Sequence, residues 1–414
     1  MNAPMHLPPH LTESALAARL DRFTIETPSW GYADTGTRFG KFLQAAAAGT
    51  IDEKLADAGH VHRLTGCCPT VALHVLWDFP HDDAGRLVGT PAAAATAVAG
   101  SAKSHAVAIG SINPNVFQDQ RYKFGSVTNI DPAVRSVAMA HLMSSVELAK
   151  AAGSNLLSLW FADGSNYPAQ ANIRERKRWM HNALEALHAA MPPGMTMLVE
   201  YKPFEPTFYH TDIADWGMAA SFARGAGPHA KVLVDTGHHL QGTNIEHIVA
   251  FLIAEGLLGG FHFNDRKYAD DDLTMGSIDP YQLFRIFAEI AQAERETGKD
   301  LAIAYMIDQS HNIKPKIEAM IQTVMTAQEH FVKAMLIDFD AAAAARQQGD
   351  VVMAEGAWRS AYATDVRGFL ADYRKSKGLP PDPLMAHRES GYEAKAAAAR
   401  GGRKSAGGGG NSYA

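Results

Sequence analysis

The sequence has 414 residues, 47% of them hydrophobic and 20% charged. That is ample apolar material for a core and too little charge for a disordered chain, and it excludes collagen-like, fibrous and disulfide-dense classes. Thirty-eight basic against 44 acidic residues leave a net charge of −6, so no broad cationic field exists to gather nucleic acid or polyphosphate. A small neutral substrate suits that balance. No run of about 18 apolar residues occurs, so no membrane segment is expected. The only two cysteines, Cys67 and Cys68, are adjacent, a poor arrangement for a stapling disulfide, and a reducing cytoplasm is the expected compartment.

In chain order, residues 1–20 read as a mobile N-terminal segment. Apolar or β-branched runs then alternate with stretches of helical periodicity. The predicted strands are 23–30, 70–77, 105–112, 155–162, 196–203, 231–238, 259–265 and 301–308. Helices are predicted between them at 51–64, 131–153, 172–190, 243–256 and 281–298. Asp131-Pro132 and Thr243 read as N-caps, and Gly153, Gly256 and Gly298 as stops. After Asp308 the pattern is helical only, at 317–348 and 353–376. Eight βα units over roughly 300 residues favour a closed (β/α)₈ barrel over an open doubly wound sheet, and no glycine-rich phosphate loop opens the first unit. The expected architecture is an α/β chain: a TIM barrel over 21–330, a C-terminal helical extension over 331–398 that packs on the barrel or on another subunit, and a disordered glycine-rich tail over 399–414.

In such a barrel, chemistry belongs at the carboxyl ends of the strands. Ionisable residues collect there: His74 and Asp78 on the second strand, Glu200 and Lys202 on the fifth, Asp235 and His238 on the sixth, His262 and Asp265 on the seventh, Asp308 on the eighth. Asp270, Asp271 and Asp272 follow the seventh strand. Singly, each reads as a helix cap or a satisfied core histidine. Together on one rim, like-charged carboxylates repel unless cations lie between them. Carboxylate with imidazole and no thiolate points to divalent Mn²⁺, Co²⁺ or Mg²⁺, with Zn²⁺ also admitted. Glu200, Asp235, His262 and Asp308 make one four-ligand set. His238, Asp270 and Asp272 make a second, with Asp235 bridging.

Those peptides also carry a resemblance. VEYKPFEPTFY (199–209), LVDTGHH (233–239), GGFHFNDRKYADDDL (259–273) and MIDQSHN (306–312), with PSWG (28–31), HVLWD (74–78) and WFADGSNYP (160–168), resemble the broad-specificity bacterial L-rhamnose isomerases. The likeness runs from Phe23 to Tyr392 and is shared more distantly with D-xylose isomerase. It implies a homotetrameric barrel enzyme interconverting an aldose and its ketose, most simply L-rhamnose and L-rhamnulose, with D-allose and D-allulose as further substrates. It also implies two divalent ions per subunit, Mn²⁺ first among them. The first ligand set would hold the structural ion and the second the catalytic one. His262 departs from the acidic ligand of xylose isomerase. His74 and Asp78 are four apart rather than three, which bears on the ring-opening role of His74.

The chemistry moves a carbonyl from C1 to C2 and needs no redox cofactor. Lys202, two residues from Glu200 and so on the same side of its strand, is expected to hydrogen-bond the oxygen that gains charge. A metal-bound hydroxide near Asp308 or Asp270 is expected to take the O2 proton, leaving the C2 hydrogen to migrate as hydride; a cis-enediol with a carboxylate base is the alternative. Trp30, Trp77, Phe117 and Trp160 are candidates to stack on the sugar or its deoxy methyl group. Phe39, in GYADTGTRFGKF (31–42), is a candidate to reach a neighbouring subunit's pocket. The alternative readings are a ketose 3-epimerase, a metal-dependent phosphoester hydrolase on the same barrel, and a sugar-binding protein with a purely structural cation.

Overall fold

The computed structural model describes residues 5, 7–34, 44–82, 86–204, 210–310 and 313–401. Eight parallel strands pair in chain order: β1 (Thr27–Pro28), β2 (Thr70–His74), β3 (Ala108–Asn113), β4 (Leu156–Leu159), β5 (Thr196–Glu200), β6 (Ala230–Asp235), β7 (Leu258–Phe263) and β8 (Ala304–Ile307). The ring closes beside β1. The Glu26 N–H donates to Tyr305 O at 2.8 Å, and the Ile307 N–H donates to Glu26 O at 2.9 Å. The chain is therefore a (β/α)₈ barrel with a helical C-terminal region.

Strands covered on both faces read as continuous apolar runs rather than alternating ones, which is why all eight are visible in the sequence. Leu198, Leu233 and Met306 fill the barrel interior, while a larger apolar layer lies between strands and helices. Glu26 is the exception inside. Its buried carboxylate accepts from the Ser111 N–H and hydroxyl, over Gly110, where a Cβ would fall 1.4 Å from Glu26 Oε2. No larger residue fits at 110.

Several elements depart from expectation. Only Thr27 and Pro28 of the segment 23–30 are strand. Helices Pro91–Ser104 and Trp216–Ala226 were not predicted. The helix expected at 317–348 is two, Lys316–Met335 and Phe339–Gln347, because Asp338 caps a new helix by accepting from the Ala341 N–H. Asn244 rather than Thr243 caps Ile245–Ala254. Of the segment 1–20 expected to be mobile, Glu13–Leu20 is a helix with buried Leu16 and Leu20, anchored by Arg19 to Glu294 at 2.7 Å. The glycine-rich tail lies, from residue 402 on, outside the described residues.

The last helices, Pro383–Ser390 and Tyr392–Arg400, dock on helix Ile51–Thr65. Arg400 pairs with buried Asp57 through two bonds of 2.8 Å, and Tyr392 Oη donates to Asp57 at 2.8 Å. His60 stacks on Tyr392 at 4.0 Å between ring centroids and lies 3.0 Å from the His387 ring. Burial, with His387 and Arg63 adding, pushes His60 down to about 4. The unfolded chain then takes up a proton before the folded one does. This contribution is complete above pH 6.5 and is lost as pH falls toward 4. Melting temperatures of the wild type and His60→Phe, compared from pH 7 to 5, are expected to converge as the medium acidifies; parallel curves would contradict this.

Candidate active site

Glu200 ends β5, Asp235 ends β6 in register with His262 on β7, and Asp308 follows β8. Strand geometry alone brings these four to one rim. Their ligand atoms lie within 4.8 Å of one another, as do those of Asp235, His238 and Asp270, so Asp235 belongs to both clusters. His262 Nδ1 is 3.3 Å from Glu200 Oε2 and 4.0 Å from Asp308 Oδ2; His238 Nδ1 is 3.1 Å from Glu200 Oε1, and its Nε2 is 3.4 Å from Asp270 Oδ2. Asp272, at φ +48°, belongs to neither cluster. It lines the same cavity, and its Oδ2 accepts from the Ser310 hydroxyl at 2.7 Å.

The electrostatics show how costly this gathering is without further positive charge. Burial, with Glu200 and Asp270 adding to it, pushes Asp235 up to about 7. Asp272 is raised by burial and by Asp270 and Asp308. Burial acts to raise Glu200 too, but His262 and His238 hold it at about 2. Burial acts to lower His262, yet Glu200 and Asp308 carry it to about 9. In the state that binds a cation, with imidazoles neutral and carboxylates ionised, five carboxylates and one ammonium would leave four negative charges. Among the described residues neither ring nitrogen of buried His262 has a hydrogen-bond partner, only the Glu200 carboxylate at 3.3 Å from Nδ1. Such donor sets fit hard to borderline divalent cations.

Above the clusters is a cavity whose empty space, including the part open to solvent, is about 630 Å³. Trp30, His74, Trp77 and Trp160 form its apolar side, facing Lys202 and the clusters. Phe117 stands behind this wall, with its ring centroid 4.7 Å from that of Trp160 and 6.2 Å from that of Trp77. Trp30 Nε1 donates to Asp308 Oδ1 at 2.6 Å. Lys202 Nζ lies 2.7 Å from Asp270 Oδ2 and 5.2 Å from the centre of the Trp160 ring. Phe39 is outside the described residues.

The His74–Asp78 pairing takes a different form from the one the sequence suggests. β2 ends at His74 and the chain turns at once into Val75–Asp78, so the Asp78 carboxylate folds back on the His74 backbone N–H at 2.8 Å. Asp78 also accepts from Ser29 Oγ at 2.5 Å and Lys54 Nζ at 2.7 Å. The ring is held instead through Nδ1, 3.2 Å from Asn113 O. A carbonyl only accepts, so Nδ1 carries the proton and Nε2 is left as an acceptor. Burial pushes His74 down to about 3, which keeps it neutral.

Asn113, Ser310 and Asn264 were missed. Asn264 had a signal: two residues past His262 it faces the same way, and its amide donates to both Asp235 oxygens at 3.0 and 3.2 Å.

Residues 75–293 match the family described as xylose isomerase-like TIM barrel. A "probable sugar isomerase" from Mesorhizobium japonicum is 38% identical over 93% of this chain and 88% of its own length. Another of that name, from Rhizobium meliloti, is also 38% identical over the same shares. A xylose isomerase from Brucella anthropi is 30% identical over 37% of each chain. Among solved structures, a D-psicose 3-epimerase covers 76% of this chain, and all of its own, at TM-score 0.51 and 11% identity, a likeness of fold.

Proposed function

From the premise that this chain belongs to the xylose isomerase-like TIM-barrel family, we propose that it is a metal-dependent aldose–ketose isomerase of the L-rhamnose isomerase type. In this reading it converts L-rhamnose to L-rhamnulose and also accepts D-allose and D-allulose, as a homotetramer in the cytoplasm. Among the described residues no helix is long and apolar enough to cross a membrane. The observation that carries the proposal is the pair of buried carboxylate–imidazole clusters sharing Asp235 and facing an indole wall. Among the described residues lining the cavity, Lys202 is the one Lys or Arg, which favours a neutral sugar over a phosphoester.

Glu200, Asp235, His262 and Asp308 would hold one ion and Asp235, His238 and Asp270, with Asp272 beside them, a second, Mn²⁺ being the first choice. When bound, the ions supply Lewis-acid polarisation of the sugar's O1 and O2. His74 Nε2, neutral and fixed in its tautomer, takes the O1 proton of the cyclic sugar as the C1–O5 bond breaks and passes it to O5, leaving the C1 carbonyl of the open form and a neutral ring again. Lys202 donates to the oxygen that becomes negative. Asp270 and Asp308 are the carboxylates placed to take the O2 proton and return one to O1, as the C2 hydrogen moves to C1 with its electron pair. The indoles exclude water and cover the C–H face of the sugar.

The test is isomerisation of L-rhamnose and D-allulose by metal-stripped protein with Mn²⁺, Co²⁺, Mg²⁺ or Zn²⁺ restored. Stripping is expected to abolish turnover and Mn²⁺ to restore it. L-Rhamnose deuterated at C2 is expected to keep its label in the ketose; loss of the label to water would replace the hydride shift by an enediol. Absence of turnover with every ion and sugar would remove the proposal.

A further inference from the structure

A second buried group of charges lies on the rim, outside the residues that line the cavity. Arg176, on helix Ile173–Ala190, is 1% exposed. It grips Asp212 through Nε to Oδ1 at 3.0 Å and Nη2 to Oδ2 at 2.7 Å. Its Nη1 donates to the carbonyls of Phe124 at 3.0 Å and Thr128 at 3.2 Å. Asp163, also buried, accepts from the N–H and the hydroxyl of both Ser126 and Thr128. The Thr128 hydroxyl stands between the two acids, 2.6 Å from Asp163 Oδ2 and 2.8 Å from Asp212 Oδ2. Gly125 turns beside them at φ +101°, where a Cβ would come within 2.7 Å of Thr128 Oγ1 and 3.0 Å of Arg176 Nη2. The loops after β3, β4 and β5 are thereby tied together.

What this knot holds is the main chain of Lys202. The Lys202 N–H donates to Ile213 O at 3.0 Å, and its carbonyl accepts from the Thr211 hydroxyl. Those partners flank Asp212. The Asp212 N–H in turn donates to Asp163 O at 2.8 Å, and Thr211 bridges Gly164, four residues past the Trp160 that lies under the Lys202 ammonium. Both ends of the lysine's setting, its backbone and the indole beneath its amine, trace back to one guanidinium.

We propose that the Arg176–Asp212 pair is a positioning element for Lys202, setting where the ammonium stands relative to the reacting oxygen; this rests on the role given to Lys202 above. Desolvation offsets much of the attraction in a buried ion pair, so such a pair is weak evidence of a stabilising role. This one bonds to loop carbonyls and a rim segment rather than to the barrel strands. Its effect is on geometry, where a misplacement of about 1 Å costs up to about 100-fold in rate.

The experiment compares Asp212→Asn, Arg176→Lys, Thr211→Val and Lys202→Met in the metal-loaded enzyme. Asp57→Asn is the control, breaking the buried pair with Arg400 on the outer face. Asp212→Asn and Arg176→Lys are expected to lower kcat about 10- to 100-fold with KM changed by less than about 3-fold and metal content unaltered. Thr211→Val, which leaves the ion pair intact, should show a smaller loss of the same kind. Asp57→Asn should lower the melting temperature and leave kcat alone. Calorimetric binding of L-rhamnitol, which is not turned over, should stay within about 3-fold of wild type in both Asp212→Asn and Lys202→Met, because the lost contact belongs to the transition state.

Wild-type kcat in Asp212→Asn and Thr211→Val, beside an impaired Lys202→Met, would overturn the positioning role while leaving the proposed function intact. Full activity in Lys202→Met would overturn the role of the lysine and this proposal with it. Should Asp212→Asn fail to fold, Thr211→Val decides.

Discussion

Asp235→Asn is expected to empty both cation clusters at once. Asp235 is the residue common to the two sets of ligand atoms, so one substitution removes a negative donor from each. The exchange is nearly isosteric. Asp235 Oδ1 accepts from the Gly237 N–H at 2.7 Å, a contact an amide oxygen preserves. The new NH₂ group would then face the Asn264 amide that now donates to Asp235. The fold should persist, while turnover falls by about 10³-fold or more, roughly 4 kcal/mol of barrier. Elemental analysis after gel filtration is expected to find both ions lost. Asp272→Asn, outside both clusters, should weaken metal retention less. Normal metal content and turnover in Asp235→Asn would end the two-ion reading.

Lys202→Met is expected to separate catalysis from binding. Methionine keeps an apolar stem near the Trp160 ring and removes only the ammonium. If the amine serves the oxygen that gains charge, its loss is felt in the transition state and hardly in the bound sugar. A fall in kcat of about 10²- to 10³-fold is expected, the scale of a lost oxyanion donor, with KM within about 3-fold of wild type. A rise in KM at unchanged kcat would instead make Lys202 a binding residue.

Which parts of this molecule could be read from its residues follows from physical contrast. Charges stand out where they interrupt apolar strands, so Glu200, Asp235, His262 and Asp308 are conspicuous, and barrel topology places them together. Helix Pro91–Ser104 (PAAAATAVAGSAKS) was lost because alanine, glycine and serine give little difference between faces, whereas Trp216–Ala226 (WGMAASFARGA) is amphipathic but short, at 11 residues with a glycine near each end. His74 and Asp78 were read as a His–Asp pair spaced four apart. The spacing was visible, but the immediate turn after β2, which sends the carboxylate to the backbone, was not. The Arg176 knot has no local pattern, since its partners at 124, 128, 163 and 212 come from three loops.

Two charges in the first 60 residues are answered only much later in the chain. Arg19 waits for Glu294, 275 residues later, and Asp57 for Arg400, 343 residues later; β1 needs β8 to complete the ring. Ribosomes add about 5–20 residues per second, so Arg19 stands without its carboxylate for roughly 14 to 55 seconds and Asp57 without its guanidinium for roughly 17 to 69 seconds. Vectorial synthesis therefore cannot lock this barrel piece by piece: its seam is sealed from the newest residues backwards, after most of the polypeptide has left the exit tunnel.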